Sequence, residues 1–408
     1  MSSFSIPLTG LEASSTALNT IANNLSNMNT TAFKSQNVTF SDLFYQQVGS
    51  TGSGDPLQVG AGTQIASTET DFSQGSIDET GNATDVALNG NGFFVVQNGG
   101  TTEYTRDGNF TLSADGLLTT QGGQQVMGYP VVNGAVDTNA PLTAIQIPVG
   151  QVEEPAATSS FGLTANLDAS AAAGTQVPAQ ITVYDSLGVS HVATIDFTSN
   201  GGGSWNYSIS LPAGDATGGN NLTGTLQFDA NGNLTSPATN VSGISFTGLS
   251  DGASNMNLGW NLYGSNNQPT ITQVSSASAV SATTQNGYAS GEYNGFTIDS
   301  NGVVSAAFSN GQTTPVGQLA LASITNQQGL TISAGNNYQT TLASGAASIG
   351  IAGSAGLGTM EDEALEQSNV DISTQFSDLI VAQQAFEASS KAITTFDTVS
   401  QETINMIH

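Results

Sequence analysis

With 408 residues, the chain is longer than one ordinary hydrophobic core, so two to four domains are expected. Its 31 acidic residues outnumber its three basic ones, for a net charge of −28, which argues against nucleic acid and anionic membrane surfaces as partners. The absence of cysteine excludes disulfides and thiolate chemistry. No segment has 18 consecutive apolar residues, so no membrane-spanning helix is predicted.

The N-terminal segment lacks a basic stretch and a long apolar run over Met1–Leu8, so no cleaved Sec-type signal peptide is expected. Further on, apolar residues recur every seven positions. Such a series predicts a helical seam that packs against another helix, although one stripe alone also fits a surface helix on its own domain. The N-terminal seam consists of Leu11, Leu18, Ile21, Leu25 and Met28.

The middle of the chain is predicted to be mainly β. Its short alternating or apolar runs are separated by Asn-Gly and Asp-Gly pairs, which are typical of hairpins. The pairs are Asp107-Gly108, Asp115-Gly116, Asn133-Gly134, Asn231-Gly232, Asn294-Gly295, Asn301-Gly302 and Asn310-Gly311.

Two stretches indicate crossings between domains: Gln151 to Ser160, which carries Glu153-Glu154-Pro155, and the Ser/Ala/Thr run from Ser275 to Thr284. Paired crossings predict a discontinuous multi-domain chain in which an outer β domain is inserted into an inner one. The predicted divisions are a terminal helical domain (1–32 and 365–408), a connecting segment (33–74 and 359–364), an inner β domain (75–148 and 284–358) and an inserted outer β domain (149–283).

The C-terminal residues repeat the seven-residue pattern, with Phe376, Phe396 and Ile404 on flanking positions and Ser400 as the one interruption. Two seams confined to the extreme ends predict that the ends pair with each other or with neighbouring copies, as a coiled-coil-like domain. The C-terminal seam consists of Ile372, Leu379, Phe386, Ile393 and Ile407.

Candidate catalytic groups are few. His191 and His408 are the only histidines, neither has zinc-ligand spacing, and no G-x-S-x-G elbow occurs, so His191 is interpreted as an ordinary strand residue. The acidic clusters Asp78-Glu79, Glu153-Glu154 and Glu361-Asp362-Glu363 are predicted to lie in linkers or at a helix start, as solvated charge rather than a glycosidase pair.

Two loops resemble ligand sites but fit hairpins better. Asp229 to Asn233 has the oxygen-rich start of a calcium loop and lacks its distal acid. Gly90 to Val96 precedes a strand and has no lysine, unlike a phosphate loop. The chain is therefore expected to be no enzyme and to need no metal or cofactor.

The stretch from Ala17 to Lys34 resembles the signature of the axial proteins of the bacterial flagellum, in which a helix ends in an Asn-rich stretch before Gly-Phe-Lys. Ala32 replaces the usual Gly. The residues that carry the resemblance are Asn23, Asn24, Asn27, Asn29, Thr30, Phe33 and Lys34.

A second resemblance to the same family covers the C-terminus, at Asn369, Val370, Asp371 and Lys391. Where many members have Arg-Ala-Tyr, this chain has Gln384-Ala385-Phe386. Gly92 to Val96, Tyr104 to Gly108 and Gly128-Tyr129 are similar to the β domain shared by rod and hook.

All three bases, Lys34, Arg106 and Lys391, fall inside these motifs. They are predicted either to anchor carboxylates at junctions or to be isolated surface charges.

Residues 181–197, 309–312 and 317–322 are similar to hook members of the family rather than the shorter rod members. The resemblance implies a self-assembling, flexible helical tube that transmits torque from rod to filament. It implies as partners the flagellar rod, hook-filament junction proteins, the hook cap during assembly and the flagellar export apparatus, in an extracellular location. The alternatives are a distal rod protein and an extracellular carbohydrate-active or adhesive β protein.

Overall fold

The computed structural model describes residues 5–50, 52 and 55–407, without the side chains of Gln46 and Ile407. The expectations for Met1 to Phe4 and His408 therefore lie outside the described residues. Contacts divide the chain into unit 1 (1–149, 295–306 and 314–408) and unit 2 (150–294 and 307–313). The finer division into four parts stays a prediction.

Unit 1 begins and ends with helices, α1 (Ser5–Ser26) and α2 (Ile372–Ile407), and is otherwise mostly strands, so the predicted β fold with terminal helices is confirmed. A short 3₁₀ helix covers Gln327–Gly329. The strands before unit 2 are β1 (Gln36–Asp42), β2 (Gln46–Ser50), β3 (Pro56–Val59), β4 (Thr63–Thr70), β5 (Ile77–Glu79), β6 (Val86–Asn89), β7 (Phe93–Asn98), β8 (Thr101–Thr105), β9 (Phe110–Leu112), β10 (Leu118–Thr120), β11 (Gln125–Val132), β12 (Ala135–Val136) and β13 (Thr143–Ala144).

Unit 2 contains twelve complete strands. They are β14 (Val152–Glu153), β15 (Ser160–Asn166), β16 (Gln176–Tyr184), β17 (Ser190–Gly201), β18 (Ser204–Ser210), β19 (Ala216–Asn220), β20 (Thr223–Phe228), β21 (Leu234–Ser236), β22 (Val241–Leu249), β23 (Met256–Asn261), β24 (Ile271–Thr272) and β25 (Ala279–Gln285). The remaining strands of the chain are β26 (Gly291–Ile298), β27 (Val303–Phe308), β28 (Thr313–Leu319), β29 (Leu321–Ser323), β30 (Thr331–Ser333), β31 (Asn337–Gln339), β32 (Ser348–Gly350), β33 (Thr359–Asp362) and β34 (Ala364–Glu366). Of the twelve strands from β14 to β25, all but β14, the partner of β26, form two sheets.

The core of unit 1 surrounds β7, whose residues 93–96 are buried on both faces. The ring of Phe93 meets Phe72 edge-on, with centroids 5.8 Å apart, and lies 5.6 Å from Tyr338. Since Phe72 lies between β4 and β5, these contacts join that connection to the β core.

The two sheets of unit 2 pack face to face as a β-sandwich. One sheet has the order β16-β17-β18-β20-β21, and the other has the order β19-β22-β23-β15-β24 with β25 beside β15. The chain's two tryptophans, Trp205 and Trp260, are both fully buried in this sandwich. Trp260 stacks on Phe161 at 5.8 Å and meets Tyr207 edge-on at 5.1 Å.

One hairpin turn recurs along the chain, with an aspartate that caps its own loop. Oδ1 of Asp229 accepts hydrogen bonds from the backbone N–H groups of Asn231 and Asn233, at 2.9 and 2.8 Å. Asp185 and Asp299 cap their loops in the same way, and the glycine three residues after each aspartate has φ near +80°. A side chain there would be strained. The interpretation of Asp229 as a turn residue is confirmed.

Strand pairing overrides several local expectations. Asn294-Gly295 lies inside β26 rather than in a turn, and Ser275 to Thr284 overlaps β25, which pairs with β15. Asp78 lies in β5 opposite Leu365, and Glu361 lies in β33 opposite Ala87, so the linker assignment of these acidic clusters is wrong. Backbone hydrogen bonds to distant strands stabilise the strand conformation of these segments, and this outweighs the preference of their local sequence for turns and loops.

None of the helices in the described part of the chain is both long enough and apolar enough to cross a membrane.

We expect Trp260→Ala to lower the free energy of unfolding of unit 2 by about 3–5 kcal/mol, because it leaves a cavity among the three aromatic rings that contact Trp260. Guanidinium unfolding followed by tryptophan fluorescence is the measurement, since Trp205 remains in the same core. Leu342→Ala, at a fully exposed position in unit 1, is the control. Equal midpoints for both variants would contradict this role of Trp260.

Candidate assembly interface

The two terminal helices pair antiparallel through small side chains. Near one end of the contact, a Cβ added to Gly10 would lie 3.1 Å from Ser389 Oγ, and at the other end Asn24 donates to Gln375 Oε1 at 3.0 Å. Ala13 of α1 and Ala382 of α2 are buried. Small residues allow the two backbones to approach closely, so this contact uses little of the large apolar surface.

The predicted seam residues are therefore only partly covered within one chain. Half-buried positions are Leu11, Leu18, Ile21, Leu25, Leu379, Phe386 and Ile393. Ile372 is exposed, the Ile407 side chain lies outside the description, and Met28 is exposed in the turn that follows α1, which ends at Ser26. The spacing of Gly10, Ala13 and Ala17 was the signal in the sequence for the contact observed.

A groove of about 550 Å³ runs between α1, α2 and β1. Its apolar lining includes Ile21, Val38, Phe40 and Val381. Apolar side chains also remain exposed at several positions along α2, namely Phe376, Ile380, Val381, Phe396, Val399, Ile404 and Met406.

Asn24 connects the end of α1 to the first strand. Its Oδ1 accepts the Gln36 N–H at 3.0 Å and its Nδ2 donates to the Gln36 carbonyl at 2.8 Å, in addition to Gln375. Because the side chain is buried, each of these hydrogen bonds is shielded from water. One amide thus fixes α1, β1 and α2 together.

The rest of the Asn-rich motif shapes the turn after α1. Asn27 Nδ2 donates to the Asn23 carbonyl at 2.9 Å, and Thr30 Oγ1 donates to Asn27 Oδ1 at 3.1 Å, whereas Asn29 is exposed. Ala32, which replaces the family's glycine, is buried with φ +55° and donates its N–H to the Glu366 carbonyl. The replacement therefore retains the left-handed backbone, which alanine adopts at a cost of about 1 kcal/mol.

The C-terminal motif ties down the start of α2. Asn369 Oδ1 accepts the Ser35 N–H at 2.8 Å, and its Nδ2 donates to the Asp71 carbonyl at 2.8 Å. Its own N–H donates to the Phe33 carbonyl. Asp371 caps α2 by accepting the Thr374 N–H at 2.8 Å. Val370, between them, is half-buried.

Two of the three bases meet one buried carboxylate. Lys34 Nζ lies 2.5 Å from Glu366 Oε1, and Arg106 Nη1 lies 3.6 Å from Glu366 Oε2. The Gly75 N–H also donates to Oε1, and Lys34 donates to the Ser73 carbonyl. Burial lowers the pKa of both Lys34 and Arg106, while the Glu366 charge opposes that shift. The third base, Lys391, lies exposed on α2.

The predicted carboxylate anchors are thus present for Lys34 and Arg106, and Glu366 is a functional residue that sequence reasoning missed. The signal in the sequence is its position just before the Asn369 motif. In the structure, Glu366 lies on β34, which pairs with β5.

Comparisons with known proteins follow the same segments. Family profiles match at residues 7–34 (Flagella basal body rod protein), 87–160 (Flagellar hook protein FlgE/F/G D1 domain), 152–288 (Flagellar basal body protein FlaE D2 domain) and 361–406 (Flagellar basal body rod FlgEFG protein C-terminal). The flagellar hook protein FlgE of Escherichia coli K12 is 32% identical over 420 residues, covering 99% of each chain. The chain belongs to the flagellar hook protein family.

Another relative, the hook protein FlgE of Borreliella burgdorferi, is 32% identical over 440 residues and 98% of each chain. The crystal structure of Helicobacter pylori flagellar hook protein FlgE2 matches with a TM-score of 0.55 at 15% identity, over 71% of this chain and 100% of that one, and shows the shared fold. Lys34, Arg106 and Glu366 fall in three separate family matches, so the buried charge cluster links three of the matched segments within this member of the hook family.

We expect Glu366→Gln to lower the free energy of unfolding of the hook subunit by about 3–5 kcal/mol, because it leaves Lys34 and Arg106 buried without a counter-charge. Thermal unfolding by circular dichroism is the measurement. Glu361→Gln, an exposed acid on β33, is the matched control and should be neutral. Equal stability of the two variants would show that the cluster contributes no net stabilisation.

Asp107, beside Arg106, should make stability pH-dependent, because burial raises its pKa to about 6 from 3.8. A folded state that binds the proton more tightly loses stability as pH rises from about 4 to about 6. Asp107→Asn retains the acceptor for the Asn109 N–H and removes the titration. From pH 4 to pH 7, the variant should gain roughly 2 kcal/mol relative to the original chain. Urea unfolding at both pH values tests this, and parallel pH profiles would contradict it.

Proposed function

We propose that this structural subunit of the flagellar hook polymerises through the apolar surface that α1 and α2 leave uncovered. The observation that carries the proposal is the set of exposed apolar side chains on α2, including Phe376 and Ile380, each more than half exposed. Covering such surface with a neighbouring copy is favourable by about 25 cal/mol per Å². The half-buried seam residues beside the groove extend the same surface.

The contact between copies is heterologous, because the helices of one subunit pair with each other and offer a different face to the next. A heterologous contact that does not close generates a helical filament. The resulting tube transmits torque from the rod to the filament, and it stays flexible because the β surfaces carry few charges and exchange their polar contacts at low cost.

The buried Lys34, Glu366 and Arg106 cluster supports this function from within the subunit. It fixes both helix-bearing ends to the β core of unit 1, so a force applied to the helices reaches the core through buried contacts.

The specific partners follow from the two ends of such a tube. We propose that one end contacts rod proteins and the other contacts hook-filament junction proteins, with a hook cap present during assembly. Export through the flagellar export apparatus to the cell exterior, without cleavage of a signal peptide, accords with membership of the family. Its function is structural rather than catalytic.

The distal rod alternative is less well supported, since the two profiles named for rod proteins match only residues 7–34 and 361–406, while hook proteins match along nearly the whole chain. No described residue favours the carbohydrate-active or adhesive reading.

We expect the double variant Phe376→Gln/Ile380→Gln to raise the concentration needed for polymerisation at least about tenfold, because it removes more than about 1.4 kcal/mol of apolar burial per subunit. Sedimentation and electron microscopy of the full chain measure assembly. The monomer's melting temperature should not change, since both side chains are exposed. Gln383→Ala, an exposed polar site on the same helix, is the control. Polymerisation at the original concentration would remove this face from the interface.

A further inference from the structure

His191 is surrounded by three carboxylates inside unit 2. Its Nε2 lies 3.0 Å from Asp185 Oδ2 and 3.4 Å from Asp251 Oδ2, and its Nδ1 lies 3.1 Å from Asp215 Oδ2. The ring and Asp185 are buried, whereas Asp215 and Asp251 reach the site from the surface. The reading of His191 as an ordinary strand residue is therefore incomplete: it lies on β17, but with a charged environment.

The three aspartates come from three different loops. Asp185 belongs to the turn between β16 and β17, Asp215 precedes β19, and Asp251 follows β22. The two sheets of the sandwich supply these strands, since β16 and β17 belong to one sheet and β19 and β22 to the other. Hydrogen bonds and ion pairs to the His191 ring therefore connect loops of the two sheets.

Asp185 differs from the other aspartates that cap the same turn. In all three turns Oδ1 accepts the loop's backbone N–H groups, and in the Asp229 turn Oδ2 lies near Asn233 of the same loop. At Asp185 the second oxygen instead points to the His191 ring. The Asp185 turn is thereby joined to the His191 side chain on β17 as well as to its own backbone.

Proton counting decides the state of the ring. A neutral imidazole has one N–H donor, but both ring nitrogens of His191 lie beside carboxylate oxygens, which accept and do not donate when ionised. Only the imidazolium, with two N–H groups, donates on both sides. Asp185, Asp215 and Asp251 are the charged groups that face the ring among the described residues, so a single positive charge meets an acidic surrounding.

We propose that His191 is a proton-dependent clasp, an imidazolium that holds the Asp185, Asp215 and Asp251 loops together and releases them when it loses its proton. Deprotonation leaves one ring nitrogen as an acceptor that faces a carboxylate, which is repulsive. The clasp is independent of polymerisation through the terminal helices.

The direction of the pH effect follows from the ring's environment. Burial alone would lower the pKa of His191, but hydrogen bonds with Asp215 and Asp185 outweigh burial and raise that pKa above 6.5. A raised pKa in the folded state stabilises unit 2 fully below pH 6.5, and this contribution is lost as pH rises through the folded-state value. Burial alone would raise the pKa of Asp185, but hydrogen bonds, among them those from the His191 ring and from the N–H groups of its own loop, lower that pKa. The contribution of Asp185 to the clasp is therefore retained down to about pH 4 and is lost as the pH falls further.

The direct test is the imidazole ¹⁵N spectrum of the full chain, labelled at histidine, in buffer with EDTA. The chain has only two histidines, so His408→Gln leaves His191 as the single signal. We expect imidazolium shifts at pH 6.5 and a titration midpoint above 6.5. A neutral ring at pH 6, or a midpoint at or below 6.5, would overturn the proposal.

Variants separate the clasp from a merely structural role. Asp215→Asn retains a hydrogen-bond acceptor and removes one charge, so it should lower the His191 midpoint by about one pH unit. Asp229→Asn, in the same type of turn but without a histidine, should leave the midpoint unchanged. Equal effects of the two variants would contradict a specific charge on the ring.

Stability provides the second readout. Because both tryptophans lie in unit 2, their fluorescence reports its unfolding in the intact chain. Between pH 6 and pH 9 the original chain should lose more thermal stability than His191→Gln, which cannot titrate. Parallel losses in the two proteins would overturn the clasp even if the ring titrates as expected.

Discussion

Removing the Glu366 carboxylate from water is unfavourable unless opposite charges and hydrogen bonds replace the water. Lys34, Arg106 and the Gly75 N–H supply that replacement, and each comes from a different part of the chain. Lys34 follows α1, Glu366 precedes α2, and Arg106 belongs to the β core of unit 1. If any of these segments moved away, a buried charge would be left without its opposite charge. The position of both helices therefore depends on this cluster.

Beyond the cluster, the helices are held by two amides and by small residues. Asn24 exchanges hydrogen bonds with the backbone of Gln36 and donates another to the Gln375 side chain of α2. Asn369 accepts from the Ser35 N–H and donates to the Asp71 carbonyl. Gly10 and Ala13 let the helices touch without using Leu18, Phe386 or their neighbours. The pairing within one subunit and the pairing proposed between subunits therefore use different side chains and need not compete.

The sequence was sufficient to predict elements whose signal is local. Heptad spacing predicts both helices, and the Asp229 turn is legible because its aspartate, glycine and hydrogen bonds lie within five residues. Contacts between distant segments were not predictable: nothing near Glu366 specifies Lys34 or Arg106, and nothing near His191 specifies Asp215 or Asp251. The acidic clusters at Asp78 and Glu361 resemble linkers for the same reason, since their strand partners lie elsewhere in the chain.

The scarcity of bases has a consequence for resistance to proteolysis. Proteases of the trypsin type cleave after lysine or arginine, and this chain has three such residues. Lys34 and Arg106 are inaccessible in the folded subunit, and only Lys391 is exposed. A native subunit thus presents such an enzyme with a single target, whose cleavage would release residues 392–408, and neighbouring copies that cover α2 in the proposed tube would hide even that one.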